Sequence, residues 1–183
     1  MKMLAILLVA LAVMITAAAP SFATPAKGTW GVGYHGADFP LGARYWMSDK
    51  LALDMGLGFS SDPFNATGDN KTTWGFEVGV PIVLAGAGEE THFFLRPGID
   101  YRSLPNPIVG GPNPDPNNRE TVFGVSGQLG VEHWFGKRFS LQVAEGIAYY
   151  NEDPGVGDSN SVFQTQAFGI SNIGFHYYFG GGK

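Results

Sequence analysis

The chain has no cysteine, so disulfides, thiolate metal sites and a lipidated cysteine are all excluded. Basic residues are scarce: eleven Lys and Arg stand against sixteen Asp and Glu, for a net charge of −5. A nucleic-acid surface needs a basic stripe, and none is present, so nucleic acid is not an expected partner. Catalytic signatures are missing too. His35, His92, His133 and His176 lie far apart and lack metal-ligand spacing. No nucleophile elbow or phosphate loop occurs. The expectation is therefore no metal, no cofactor and no catalytic residue. Beyond the N-terminal segment no run is long and apolar enough for a membrane-spanning helix. If the chain enters a membrane, it must do so as strands.

What is present begins with "MKMLAILLVALAVMITAAAPSFA". Lys2 is a short positive region, Met3 to Ala19 is apolar, and Ser21 and Ala23 are small residues at the two positions that govern cleavage. This reads as a secretory signal peptide, residues 1–23, cut after Ala23; the competing reading is an anchor helix. Residues 24–183 then form one small domain.

That domain alternates. Period-2 patterning with turn residues between gives eight segments: Thr29–His35, Phe39–Met47, Leu51–Phe59, Thr72–Val83, Phe93–Arg102, Val122–Phe135, Phe139–Tyr150 and Phe163–Phe179. In the third, Leu51, Leu53, Met55, Leu57 and Phe59 share one face, and Ala52, Asp54, Gly56 and Gly58 share the other. Links after the second, fourth and sixth segments are short; those after the third, fifth and seventh are long and polar. An all-β, eight-stranded antiparallel up-and-down transmembrane barrel has this layout, with tight turns at one end and long loops at the other.

Alternation alone would also suit a soluble barrel with the apolar face inside. Three features favour an apolar face turned to lipid. Lys27, Lys50, Lys71, Lys137 and Lys183 all fall in turns, loops or termini, whereas a water-facing sheet uses lysine on its exposed face. Aromatics collect near strand ends: Trp30, Tyr45, Phe93, Phe135, Phe139, Tyr177 and Phe179 at the short-turn end, and Phe59, Trp74, Tyr101, Phe123, Tyr149 and Phe163 at the other. The middle of that face is aliphatic, as bilayer interfaces select. The polar face is crowded with glycine, which suits a lumen short of space.

The signal peptide, the eight alternating strands, and stretches such as "FGVSGQLGVEHWFGKRFSLQVAEG" and "GFHYYF" resemble the small outer-membrane β-barrel family of Gram-negative bacteria, the OmpA/OmpX-type barrels. The resemblance covers essentially the whole mature chain and rests on pattern more than on fixed residues. It implies an outer-membrane location, contact with outer-membrane lipid and lipopolysaccharide, and delivery by the outer-membrane assembly machinery. It also implies that Phe175, Tyr177 and Phe179 in the last strand form the C-terminal signal which that machinery reads. Here "GGGK" follows Phe179, a departure from the family's terminal aromatic residue.

On this register Arg44, Asp54, Glu77, Arg96, Asp100, Arg102 and Glu132 point inward, three basic against four acidic, joined by Gln128, Gln142, Gln164, Gln166 and His176. Charges in a narrow lumen must be paired. The reading is a filled polar plug; the alternative is a narrow pore or small-ligand conduit. Function is expected to be structural, or interactive through candidate ligand-binding loops at 60–71, 103–120 and 151–161, with the barrel a monomer.

Two residues break the pattern. Strict alternation aims Glu145 outward at mid-strand, so either a bulge near Ala144 turns it inward or it is a working acid on the outer wall. Lipid A deacylases carry such a set on their outer wall, and His133 also points outward. "HWFG" nevertheless lacks the Ser two residues on that those enzymes use, and a lipid-modifying enzyme stays the minor alternative. Pro97 cannot donate to a ladder, so a bulge with Gly98 is expected; the alternative is a gap admitting lipid, as in an outer-membrane acyltransferase.

Overall fold

The computed structural model describes residues 27–62, 71–105, 118–155, 157–165 and 173–179. The signal segment lies outside these residues. The described chain forms ten strands: β1 (Trp30–Tyr34), β2 (Leu41–Ser48), β3 (Leu51–Asp62), β4 (Lys71–Gly79), β5 (Ile82–Gly86), β6 (Thr91–Pro105), β7 (Arg119–Trp134), β8 (Phe139–Asp153), β9 (Asn160–Thr165) and β10 (Ile173–Phe179). No helix among the described residues is long and apolar enough to cross a membrane.

The ten strands make eight wall positions. β4 and β5 continue one line along β6, since Gly79 faces Gly98 and Ile82 faces Leu95 in one unbroken register. Their interruption is at Pro81. β9 and β10 both pair with β8 and form the last wall strand. β10 then pairs antiparallel with β1, from Trp30↔Phe179 to Tyr34↔Phe175. The sheet closes on itself, and the chain is an all-β, closed, eight-stranded antiparallel barrel. Closure leaves the terminal strand no free edge at this level.

Alternation sets which way each side chain points. Outward residues on β10 are exposed and the residues between them are buried, giving a strict exposed–buried pattern over all seven positions. The outer face is largely apolar: Trp30, Val32, Leu57, Phe76, Ile99, Phe123, Leu129, Val143 and Tyr149 are all exposed. Aromatic pairs line its two ends. Trp30 and Tyr45 have ring centroids 4.5 Å apart at the short-turn end, and Trp74 and Tyr101 are 5.4 Å apart at the long-loop end.

Four expectations need correction. The strands run beyond the apolar alternation into polar sequence. β3 and β4 stay paired to Asp62↔Lys71, β6 and β7 to Pro105↔Arg119, and β7 and β8 to Thr121↔Asp153. The ends of the three candidate loops are therefore ladder, because backbone pairing does not require an apolar face. Most of 60–71 and 103–120 otherwise lies outside the described residues. Second, β7 and β8 keep one register from Thr121↔Asp153 to Trp134↔Ser140, so there is no bulge at Ala144 and Glu145 points outward opposite Leu129. Third, Pro97 needs no bulge: it faces Gly127 in an unbroken β6–β7 ladder, and its carbonyl accepts from the Val80 N–H at 2.9 Å. One missing donor is absorbed without a change of register. Phe39 and Pro40, expected at the start of the second strand, precede it.

The wall is uneven in height. β1 has 5 residues and β7 has 16. The connection between β1 and β2 uses its low position to fold into the mouth, where His35 and Phe39 are buried. A Cβ on Gly58 would run into the Asp38 carbonyl, so the close approach of this connection requires glycine there.

At the short-turn end the interior is aromatic. Trp46, Trp134 and Tyr178 pack with Ala52 and Val83 into a fully buried floor, with Trp134 and Tyr178 ring centroids 4.5 Å apart. Replacing Trp134 by Ala should lower stability by about 3–5 kcal/mol, the usual cost of emptying a large aromatic site. The denaturant midpoint of the refolded barrel measures this; a midpoint equal to that of the parent would mean the floor carries no packing energy.

Candidate functional site

Above the aromatic floor lies a layer of charge. Arg44 faces Asp54 directly across the β2–β3 ladder, and its guanidinium grips that carboxylate with two hydrogen bonds: Nε to Oδ1 at 2.5 Å and Nη2 to Oδ2 at 2.8 Å. It also crosses the lumen. Nη1 donates to Glu132 Oε1 at 2.8 Å, and Nη2 donates to Gln142 Oε1 at 2.5 Å. One arginine thus joins β2, β3, β7 and β8. Glu132 accepts in addition from Ser140 Oγ at 2.6 Å and from Tyr178 OH at 3.3 Å.

Arg96 does the same for the other half. Its Nε donates to Asp54 Oδ2 at 3.1 Å, and its Nη1 donates to Glu77 Oε1 and, at 3.1 Å, to Gln128 Oε1. Nη2 lies 2.9 Å from His35 Nε2, and because a guanidinium only donates, that nitrogen accepts. Glu77 Oε2 is 3.3 Å from the same nitrogen, which cannot donate to it while accepting from Arg96. The charge partner of Glu77 is therefore Arg96. Gly79 makes room for this cluster, since a Cβ there would overlap the Arg96 guanidinium.

The third tier is the vestibule at the long-loop end. Arg102 Nε donates to Asp100 Oδ2 at 3.2 Å, Nη1 reaches Asp38 Oδ2 at 3.4 Å, and the guanidinium lies 5.0 Å from the Tyr150 ring centroid. The cation is held by two carboxylates and an aromatic face together. Two spaces remain. A water-sized one of about 30 Å³ lies among Glu77, Asp100, Arg102 and Gln128. A larger one of about 200 Å³ lies between the β1–β2 connection and β3, β4 and β6.

Of the residues singled out in the sequence, Arg44, Asp54, Glu77, Arg96, Asp100, Glu132 and Gln128 are buried inside, and Arg102 is partly exposed at the mouth. His176 is buried there as well, its ring 6.2 Å from that of His35. Gln164, expected inside, is exposed on β9, and Gln166 lies outside the described residues. Phe175, Tyr177 and Phe179 face outward on β10, paired with β1. The structure does not bring His133 and Glu145 together. They stand on opposite strands four ladder steps apart, about 13 Å at strand rise. His133 Nδ1 instead lies 2.9 Å from Thr91 Oγ1. Among the described residues no group of three or more His, Asp or Glu could hold a metal ion.

Two parts of the interior escaped the sequence reading. The aromatic floor was signalled by the same parity that put Tyr45, His133 and Tyr177 outward, since Trp46, Trp134 and Tyr178 are their next neighbours. The inward-folded connection had a weaker signal: Gly42 faces Gly56 and Gly58 faces Gly75, a patch without side chains that leaves room for it.

No protein-family model matches the chain, and no curated protein matches it in sequence.

Removing one partner of a buried ion pair strands the others in low dielectric. Arg44→Met should therefore cost about 3–5 kcal/mol by leaving Asp54 and Glu132 short of a cation. Arg102→Met, at the partly exposed mouth, should cost about 1 kcal/mol or less, in the range of a solvent-screened pair. Equilibrium unfolding of the two variants side by side checks the ranking, and equal losses would refute it.

Proposed function

We propose that the chain is an integral outer-membrane barrel of a Gram-negative bacterium, exported by a cleaved signal peptide and assembled as a monomer. Its lumen is closed, and its role is structural or interactive through the long-loop end. The observation that carries this reading is the pairing of an apolar outer face with an interior whose buried arginines and carboxylates are paired with one another. Water is the wrong solvent for the first, and a soluble barrel would put its apolar face inside. The two aromatic rows flanking an aliphatic band support a bilayer around the wall. The barrel would contact membrane lipid along the wall and lipopolysaccharide at its acidic upper rim.

Location is tested by refolding. The mature chain should fold only with detergent or lipid and should then migrate differently in gels before and after heating. A chain that folds in plain buffer would sink the proposal.

The layered interior supports a closed lumen over a narrow conduit. Trp46 and Trp134 block one end, Arg44 and Arg96 cross the middle, and Phe39 covers the layer above. Planar-bilayer recordings of the parent protein should show no unitary conductance steps at neutral pH. Regular steps would move the assignment to a pore.

The outward aromatics of β10 support a role in assembly, in keeping with the family that the sequence resembles. Phe179→Ala should reduce the amount of folded barrel in the outer membrane, whereas removal of Gly180 to Lys183 should not. Wild-type levels of folded barrel from both variants would separate the last strand from that role.

A further inference from the structure

The rim at the short-turn end is unevenly charged. Its β7–β8 turn is a tight reversal, with Gly136 at a φ of 75° and the Phe135 N–H donating to the Phe139 carbonyl at 2.8 Å. Lys137 and Arg138 lie in this turn, both exposed. Among the described residues the guanidinium–carboxylate pairs are those of Arg44, Arg96 and Arg102, so neither turn cation has a carboxylate in contact. The acids of this end stand elsewhere. Asp49 is beside Lys50 in the β2–β3 turn. Glu89 and Glu90 are in the β5–β6 turn, on the β6 flank of β7, where the Glu90 carbonyl accepts from the Trp134 N–H at 2.7 Å. On the other flank the strands are β8, β10 and β1 in order, and the next rim charge among the described residues is Lys27. Residues 24–26 and 180–183 carry no acidic side chain.

Arg138 is turned toward that second flank. Its carbonyl accepts from the Tyr178 N–H at 2.8 Å, which pins the turn to β10. Its Nη1 lies 3.5 Å from the hydroxyl of Tyr177, a residue exposed on the outer face. The guanidinium therefore sits over the outer wall and not over the lumen.

Next to it along the wall is an aromatic surface that spans three strands. Phe139 faces Tyr177 across the β8–β10 ladder, and the following outward pair is Leu141↔Phe175. Ring centroids are 5.8 Å apart for Phe135 and Phe139, and 6.0 Å apart for Phe139 and Phe175. Leu141 and Val143 continue the exposed face as aliphatic surface. Such a face buries the methylenes of an acyl chain, and a guanidinium holds a phosphate through charged, forked hydrogen bonds. The β6 flank of the same rim has a ring without the cations: Phe93 is outward there, but its turn carries Glu89 and Glu90.

We propose that the β8–β10 sector of the short-turn rim binds an anionic phospholipid, its phosphate on Lys137 and Arg138 and its acyl chains along Phe139, Phe175 and Leu141. A zwitterionic lipid brings a cation of its own to the same place and gains less from the two side chains. This rests on the outer-membrane reading, and the test separates the two.

The test uses the full mature protein in nanodiscs of phosphatidylcholine containing a minor share of phosphatidylglycerol. Native mass spectrometry counts the lipids that stay on the barrel when it is released from the disc. Phosphatidylglycerol should be retained about tenfold or more above its share of the disc, because each basic group at a membrane surface contributes a factor of about five. Arg138→Gln should lower that enrichment about fivefold, and Lys137→Gln should lower it as well. Both substitutions lie in an exposed turn outside every strand, so the ladder is untouched. Lys50→Gln removes the same charge from the same rim, beside Asp49, and should leave the enrichment as it was. Retention in proportion to disc composition, an Arg138→Gln barrel equal to the parent, or a loss in Lys50→Gln as large as that in Arg138→Gln would each overturn the proposal. Heat-modifiable migration of the same disc samples reports on the barrel itself, so a failed site and a failed membrane reading are told apart.

Discussion

Asp54 sits between two guanidinium groups, and the cross-section of the barrel is held through that one carboxylate. Arg44 brings β7 and β8 to it, and Arg96 brings β4, β6 and the inward-folded His35. Eight strands enclose a space that side chains can just fill, so any charge turned inward must find its counter-charge within that space. Much of the rest follows from this. Glycine recurs on the inner face where a guanidinium or the β1–β2 connection needs the room. The aromatic floor and Phe39 close the layer from both sides, which keeps the dielectric low and the pairs tight.

The outer face obeys the opposite rule. It carries almost no group that wants water, and it sorts aromatics to its ends. The exceptions are instructive. Glu145 stands outward in an unbroken ladder, and Pro97 gives up a donor without displacing its neighbours. Neither is repaired by a bulge. The ladder on both sides of each residue is long, and many regular pairs outweigh one misfit.

Fold was legible because period-2 alternation is a direct record of which side of a strand faces which medium. Arg44, Asp54, Glu132 and Gln128 could be placed inside by parity alone. Strand ends were not legible by the same means: above the apolar band both faces of Ser60–Asp62 are water-compatible, so alternation stops while pairing continues. The inward fold of residues 35–40 was hidden for a different reason. It depends on space left by glycines on β2, β3 and β4, a tertiary fact that no local pattern encodes. The vestibule inherits that obscurity, since its floor is the connection that turns in.

The charged layer also resolves an ambiguity that alternation cannot. If a strand slides by two residues along its neighbour, every apolar side chain still faces outward and every polar one inward. The greasy wall would scarcely register the error. The interior would: such a slip sets Arg44 opposite Ala52 or Gly56 instead of Asp54, and a cation opposite no anion in a dry lumen is costly. Greasy alternation chooses sides, and the ion pairs choose the step. The same contacts that fill the barrel therefore serve as its proofreading, admitting one alignment of eight strands from the many that hydrophobicity alone would accept.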